Sequence, residues 1–303
     1  MSATTDLHAI AMRPRDESAR RARGRRRHLV DQAVRLFCLI ATAIGVFFLA
    51  SILVTLIWRG APAIDLTVFI TDFRPTTYGE PDAEKGGLLH AILGSFVQAG
   101  MGVAVGTPIG ILVGTYLSEY ARQTALGNAV RFVSDVLLSA PSILVGLFIY
   151  QLVVLPMGGF SGIAGGLALS IIVIPVVVRT TEDMLTLIPN TLREAVVALG
   201  APKWKMITLV AYRAALSGMV TGILLAFARI AGETAPLLLT SFGNNVVTWD
   251  MSKAMASLPV TIYQQANSGF PDLIQIAWAG ALMITTGVLL VNIIARTLLR
   301  KRI

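Results

Sequence analysis

Residues 136 to 178 contain no Asp, Glu, Lys or Arg. A helix crosses a bilayer with about 20 predominantly apolar residues, so this one run is long enough for two crossings. Three more uncharged runs occur, Leu36 to Trp58, Gly86 to Ser118 and Leu273 to Ala295. Ala214 to about Leu239 is equally apolar but carries Arg229 and Glu233 inside it. The expectation is an all-α integral membrane protein with six transmembrane helices. Within 136–178 the segment Pro156-Met157-Gly158-Gly159, followed by Gly162, is the natural place for a tight helical hairpin. Only 14% of residues are charged, against about 25% in soluble domains, so the chain cannot dress a water-facing surface in the usual way.

The net charge of +8 and pI of about 10.1 raise the question of nucleic acid. The positions of the charges answer it. With six spans, nine arginines fall in the amino tail up to Arg35, and two (Arg122, Arg131) between spans two and three. Five (Arg179, Arg193, Lys203, Lys205, Arg213) lie between spans four and five, and four (Arg296, Arg300, Lys301, Arg302) at the carboxyl end. That puts twenty cations on one side and four (Arg59, Arg74, Lys85, Lys253) on the other. Lys and Arg concentrate in cytoplasmic loops, so both termini are expected in the cytoplasm, and the basic pI needs no nucleic acid. The organisation read from this is a basic cytoplasmic tail over 1–35, a first transmembrane helix over 36–58, an external segment over 59–85 and a five-helix core over 86–300. The arginine-rich tail is a topology anchor that can also touch anionic membrane lipid.

Sites for covalent chemistry are missing from the sequence. Cys38 is the single cysteine, and His8, His28 and His90 are far apart. No metal-ligand spacing and no GxSxG occurs, and none of the five lysines follows a glycine, so there is no Walker A loop. The reading is a non-catalytic membrane protein without a cofactor or metal of its own, so that any ATPase driving it is another chain. The second span has Gly102, Gly106, Gly110 and Gly114 at four-residue spacing, a stripe on which another helix can pack closely or slide. Pro108 interrupts the stripe and is expected to bend the helix.

Between spans four and five, Leu192, Ala195, Val196 and Leu199 sit at i, i+3, i+4 and i+7 and form one apolar face. Asn190 or Thr191 can cap the start, and Gly200 followed by Pro202 stops the helix. A short amphipathic helix over 191–199 therefore lies at the membrane surface, on lipid or in the groove of a partner. The segment Glu194-Ala195-Val196-Val197-Ala198-Leu199-Gly200 resembles the EAA-x-x-x-G motif of ABC importer permeases. Val196 stands where that motif has alanine, and the usual I-x-L-P continuation falls on Val210, Tyr212 and Arg213, without its proline. The segment Arg229-Ile230-Ala231-Gly232-Glu233-Thr234-Ala235-Pro236-Leu237-Leu238, together with Ser139 to Ile143 and Ala201 to Lys205, is similar to the phosphate transport system permease (PstA) family over roughly residues 86 to 300.

This resemblance implies a type I ABC importer permease fold in a prokaryotic plasma (inner) membrane. It implies that Leu192, Glu194, Ala195, Leu199 and Gly200 couple the chain to a separate PstB-like ATPase dimer, which binds the ATP and Mg. It also implies a second, PstC-like permease and an external PstS-like phosphate-binding protein. Arg229 and Glu233, one turn apart in a continuous fifth span, are either an ion pair that fixes packing or a cation and its holder on a phosphate pathway. Arginine suits that role because its planar fork donates two parallel hydrogen bonds to an oxyanion. Arg179 is either a positive-inside anchor or a second contact for the leaving anion. Other readings are a permease for sulfate or molybdate, a non-transporting scaffold or sensor, and a lone ion-coupled carrier. The segment from Ser241 to Asp272, broken at Leu258-Pro259 and Gly269-Phe270-Pro271, is expected to hold short helices and turns.

Overall fold

The computed structural model describes residues 14–73 and 86–300. Of the cations counted above, Arg13, Arg74, Lys85, Lys301 and Arg302 lie outside the described residues, as do most side chains of the tail before Arg27. Among the described residues all regular structure is helical. Helix α1 (Pro14–Gly60) is continuous through the expected first span and through the boundary expected at residue 35, and its residues 27–55 are exposed throughout.

The rest of the chain forms a second unit from Leu56 onward. A short helix α2 (Leu66–Ile70) leads to α3 (Leu89–Glu119), which continues through Pro108. Then follow α4 (Ala125–Ser139), α5 (Ser142–Ile149), a π-helical stretch over Tyr150–Val154, and the single turn α6 (Leu155–Met157). Helix α7 (Gly162–Thr186) is the centre of the unit, with the highest buried share of any candidate span. Helices α8 (Asn190–Ala198) and α9 (Lys203–Lys205) come next, and a π-helical stretch over Met206–Ala211 leads into α10 (Tyr212–Ala231). The chain ends with α11 (Ala235–Thr240), α12 (Leu258–Ala266) and α13 (Pro271–Arg300). Five helices are long and apolar enough to cross a membrane, and the α4 to α6 run makes a sixth crossing if its bent pair counts as one. The chain is a multi-pass membrane protein.

Three sequence expectations are corrected. The third span does not begin at Val136: α4 and the leg Ser142–Met157 meet at 102°, because Pro141 has no amide to continue the ladder and turns the chain at Ala140. The fifth span is not continuous through Leu239, since α10 stops at Ala231 and α11 starts at Ala235. The helix after span four begins at Asn190 behind Pro189, with no side-chain cap on its first amides. The hairpin expected near Pro156 is present. Gly158 adopts φ +74, its amide donates to the Leu155 carbonyl, and the Gly159 amide donates to Val154. Ser161 caps α7, its Oγ accepting from the Ala164 amide at 3.1 Å.

The glycine stripe explains how α3 and α7 meet. A Cβ added at Gly102, Gly106, Gly110 or Gly114 would lie 2.9, 2.8, 2.6 or 2.7 Å from the Cβ of Leu169, Val173, Val177 or Thr181 respectively. Every pair is 67 residues apart, so the two helices run parallel in one fixed register, each side chain of α7 seated in a glycine notch of α3. On another side of α7, Gly222 of α10 meets Thr180 and Gly218 meets Met184. We expect Gly110→Ala to cost roughly 1–3 kcal/mol through overpacking. Gly100→Ala, on the same helix with nothing within 4 Å, should be neutral or stabilising. Thermal melting of the purified protein in detergent reads the difference.

Candidate functional site

Arg229 stands in the last turn of α10 and Glu233 in the three-residue break before α11. The chain breaks there because Gly232 ends the α10 ladder and the Glu233 amide turns back to the Ile230 carbonyl at 3.2 Å. Arg229 Nε lies 4.0 Å from Glu233 Oε1, the outer limit of an ion pair, with the two side chains 38% and 16% exposed. The arginine is therefore held only loosely by that carboxylate. Its place at a helix C-terminus also suits a cation, because the last carbonyls carry partial negative charge.

Arg179 pairs with Asp183 one turn on at 3.5 Å, and both side chains are half exposed. Through the register of Gly222 on Thr180, Arg179 stands level with residue 223 of α10. Arg229 is six residues further, on the order of 9 Å along the helix at 1.5 Å per residue. The fold thus puts Arg229 and Glu233 side by side and leaves Arg179 about two turns away with its own carboxylate.

At the other functional candidate, α8 presents Leu192, Glu194, Ala195, Val197 and Leu199 outward, Leu199 being 87% exposed. Val196 turns inward, against the buried cluster of Leu185, Ile188, Met206 and Ile207. The helix ends as its glycine predicts. Gly200 adopts φ +78, its amide donates to the Val197 carbonyl, and the Ala201 amide donates to Val196, which is the Schellman pattern. A cavity of about 760 Å³ opens beside this helix, lined by Glu119, Arg122, Arg193, Glu194, Val197 and Lys203 among others.

Residues 106–303 match the family described as binding-protein-dependent transport system inner membrane component. The phosphate transport system permease protein PstA of Haemophilus influenzae is 52% identical over 257 residues, 85% of this chain and 89% of that protein. Its counterpart in Yersinia pestis is 45% identical over 297 residues, 98% of this chain and 97% of that one. The chain belongs to the PstA family. Its fold is similar to a bacterial alginate ABC transporter solved with an alginate pentasaccharide-bound periplasmic protein (TM-score 0.63, 16% identity, 88% of this chain and 94% of that one). It is also similar to the MetNI methionine ABC transporter in an inward-facing conformation (TM-score 0.55, 19% identity, 71% and 94%). The fold is that of type I ABC importer permeases.

Within this PstA-family fold the sequence reading overlooked the two long-range ion pairs among the described residues. Arg131 Nε donates to Glu182 Oε1 at 2.6 Å, and Arg193 Nη2 donates to Glu119 Oε1 at 2.8 Å. The partners are 51 and 74 residues apart, so no local spacing announces them. At the opposite end of the bundle from α8, a cavity of about 550 Å³ is lined by His90, Phe242, Asn244, Asn245, Gln264 and Gln265 among others. No lysine or arginine stands among its described lining residues. In the loop before α12, Asp250 accepts from the Ser252 hydroxyl and amide, which together with Lys253 hold its carboxyl below the usual range.

The left-handed Gly200 yields a direct test. A Cβ there meets nothing within 4 Å, so the only penalty is conformational. Gly200→Val should loosen the end of α8 by about 1–2 kcal/mol, and Gly200→Asn, which tolerates this conformation, by much less. Hydrogen exchange of the amides over 190–205 measures both.

Proposed function

We propose that this chain is the permease subunit of an ATP-driven importer of inorganic phosphate. The observation that carries the reading is identity of 45–52%, over 85–98% of the chain, to proteins named phosphate transport system permease protein PstA. In this reading the anion passes Arg229, the half-exposed cation at the break between α10 and α11. Glu233, close but at the limit of pairing, aims the guanidinium and weakens its hold on a second negative charge, so that the anion is released. Arg179 meets the anion further along. The chain does no covalent chemistry. ATP and Mg belong to a PstB-like ATPase dimer that seats the outward face of α8 at Leu192, Glu194, Ala195 and Leu199. A PstC-like permease completes the pathway and a PstS-like protein delivers phosphate from outside.

The test is uptake of labelled phosphate by the complex in vesicles. Arg229→Ala should lower uptake at least tenfold while the ATPase still co-purifies. Arg229→Lys should keep an intermediate rate, since the charge stays and the two-pronged donor geometry goes. Normal uptake by Arg229→Ala removes the residue from the pathway. Faster uptake of sulfate or molybdate than of phosphate by the native complex overturns the substrate assignment.

Both termini are placed in the cytoplasm by the same reading. Lys253, whose side chain is 73% exposed, should react with an impermeant amine reagent from outside the inner membrane. Lys205 should react only after that membrane is opened. It is the better inner probe, because the Lys203 amine is engaged with the Glu119 carbonyl and the Tyr120 ring. The reverse labelling pattern would invert the topology.

A further inference from the structure

Arg193 sits on α8, one residue before Glu194, but its side chain points away from the exposed face and is 12% exposed. Each of its five N–H donors has a partner. Nε and one Nη2 hydrogen reach Glu119 Oε1 at 3.2 and 2.8 Å. The second Nη2 hydrogen reaches the Leu185 carbonyl at 2.6 Å, and Nη1 reaches the Ile188 carbonyl at 2.6 Å and Asn190 Oδ1 at 3.3 Å. Glu119 ends α3 and its side chain is 4% exposed; Leu185 lies in the last turn of α7. One guanidinium therefore joins α8 to the ends of both helices of the glycine-notched pair. Beyond Gly200 a second cation grips the same place: Lys203 Nζ donates to the Glu119 carbonyl and lies 4.2 Å from the centroid of the Tyr120 ring. Two attachments, one inside α8 and one just after it, fix its direction as well as its position. The face bearing Leu192, Ala195 and Leu199 stays exposed.

We propose that Arg193 is the positioning residue that makes α8, α3 and α7 move as one body, so that displacement of α8 by a partner is delivered along the membrane helices rather than absorbed in the loop. This rests on the reading of α8 as the seat of the ATPase. The chemistry favours arginine over lysine. A planar fork satisfies a carboxylate, a carbonyl in the last turn of α7 and one in the turn before α8 together, whereas an ammonium has three donors on a flexible stem. The α3/α7 register supplies the rigid lever, since side chains seated in notches permit no small slide.

The experiment uses the whole complex in vesicles and reads three quantities: ATPase retained on the permease, basal hydrolysis, and hydrolysis stimulated by phosphate-loaded binding protein. For Arg193→Lys we expect retention and basal hydrolysis within twofold of native, with stimulation and uptake reduced at least tenfold. Glu119→Gln, which keeps an acceptor oxygen and removes only charge, should show a loss of about threefold. Spin labels at Leu112→Cys and Thr191→Cys in a Cys38→Ser background should give one narrow distance in the native complex and a broadened one with Arg193→Lys. Native stimulation together with native distances in Arg193→Lys overturns the proposal. If Arg193→Lys does not accumulate in the membrane and Glu119→Gln behaves as native, the cluster is a folding brace and the proposal also falls. Leu199→Asp, on the outward face, tests the underlying reading separately. It should lose the ATPase, and full retention would show that α8 is not the seat, whatever Arg193 does.

Discussion

The close approach of α3 to α7 is the constraint on which the rest of this structure depends. In a bilayer, helices gain little from leaving lipid for one another, so association relies on van der Waals contact over backbones brought near by small residues. Gly102, Gly106, Gly110 and Gly114 provide that approach, and Leu169, Val173, Val177 and Thr181 fill it. The pairing repeats every four residues, so the next equivalent register is a shift of about 6 Å along the axis. Small displacements are closed off, and α7 becomes a fixed post. On this post α10 leans through Gly218 and Gly222, and α11 lies across α5 where Gly146 admits Pro236.

Against that rigid pair the charges divide into two kinds. Arg131 with Glu182, and Arg193 with Glu119, are short and largely shielded, and each arginine also binds backbone carbonyls at helix ends. Removing one member of such a pair typically costs about 3–5 kcal/mol, because the other is left charged without compensation. Arg229 with Glu233 is the opposite case, long, partly exposed and set where the helix is interrupted. The two short pairs secure one end of the bundle, and the loose pair of Arg229 sits where the helix is interrupted. A cation proposed to bind an anion and then release it fits the second kind.

Hydropathy made the number of crossings legible, because 20 uncharged residues have few other uses, and Gly200 marked the end of α8 because only a left-handed residue closes that pattern. Pro141 is plain in the sequence, but the size of the turn it makes at Ala140 was not. Val136 to Ser139 is apolar and uncharged like the leg that follows, so the run reads as one span although the chain turns by 102° within it. Glycine at 232 was visible, but its stop is decided by the turn of the Glu233 amide, a feature of conformation. Arg193 counted only as one more inward positive charge. Its partner is 74 residues away on another helix, and only the register of α3 on α7 brings the two together. The seat of Arg229 beside Glu233 was legible from their spacing; the looseness of the pair was not.

The bend between α4 and α5 has a consequence for the surrounding lipid. The leg Ser142–Met157 has 16 residues, which reach at most about 24 Å, while a typical hydrocarbon core is about 30 Å thick. Its outward side chains include Ile143, Leu144, Leu147, Phe148, Leu152 and Leu155, all exposed. Helix α4, turned across it, exposes Phe132, Val133 and Val136. Such a leg falls short of that core unless the bilayer thins beside it or a neighbouring chain covers its ends. The shortfall of about 6 Å on the flank of the helix that receives Pro236 falls to lipid or to a partner chain to make up.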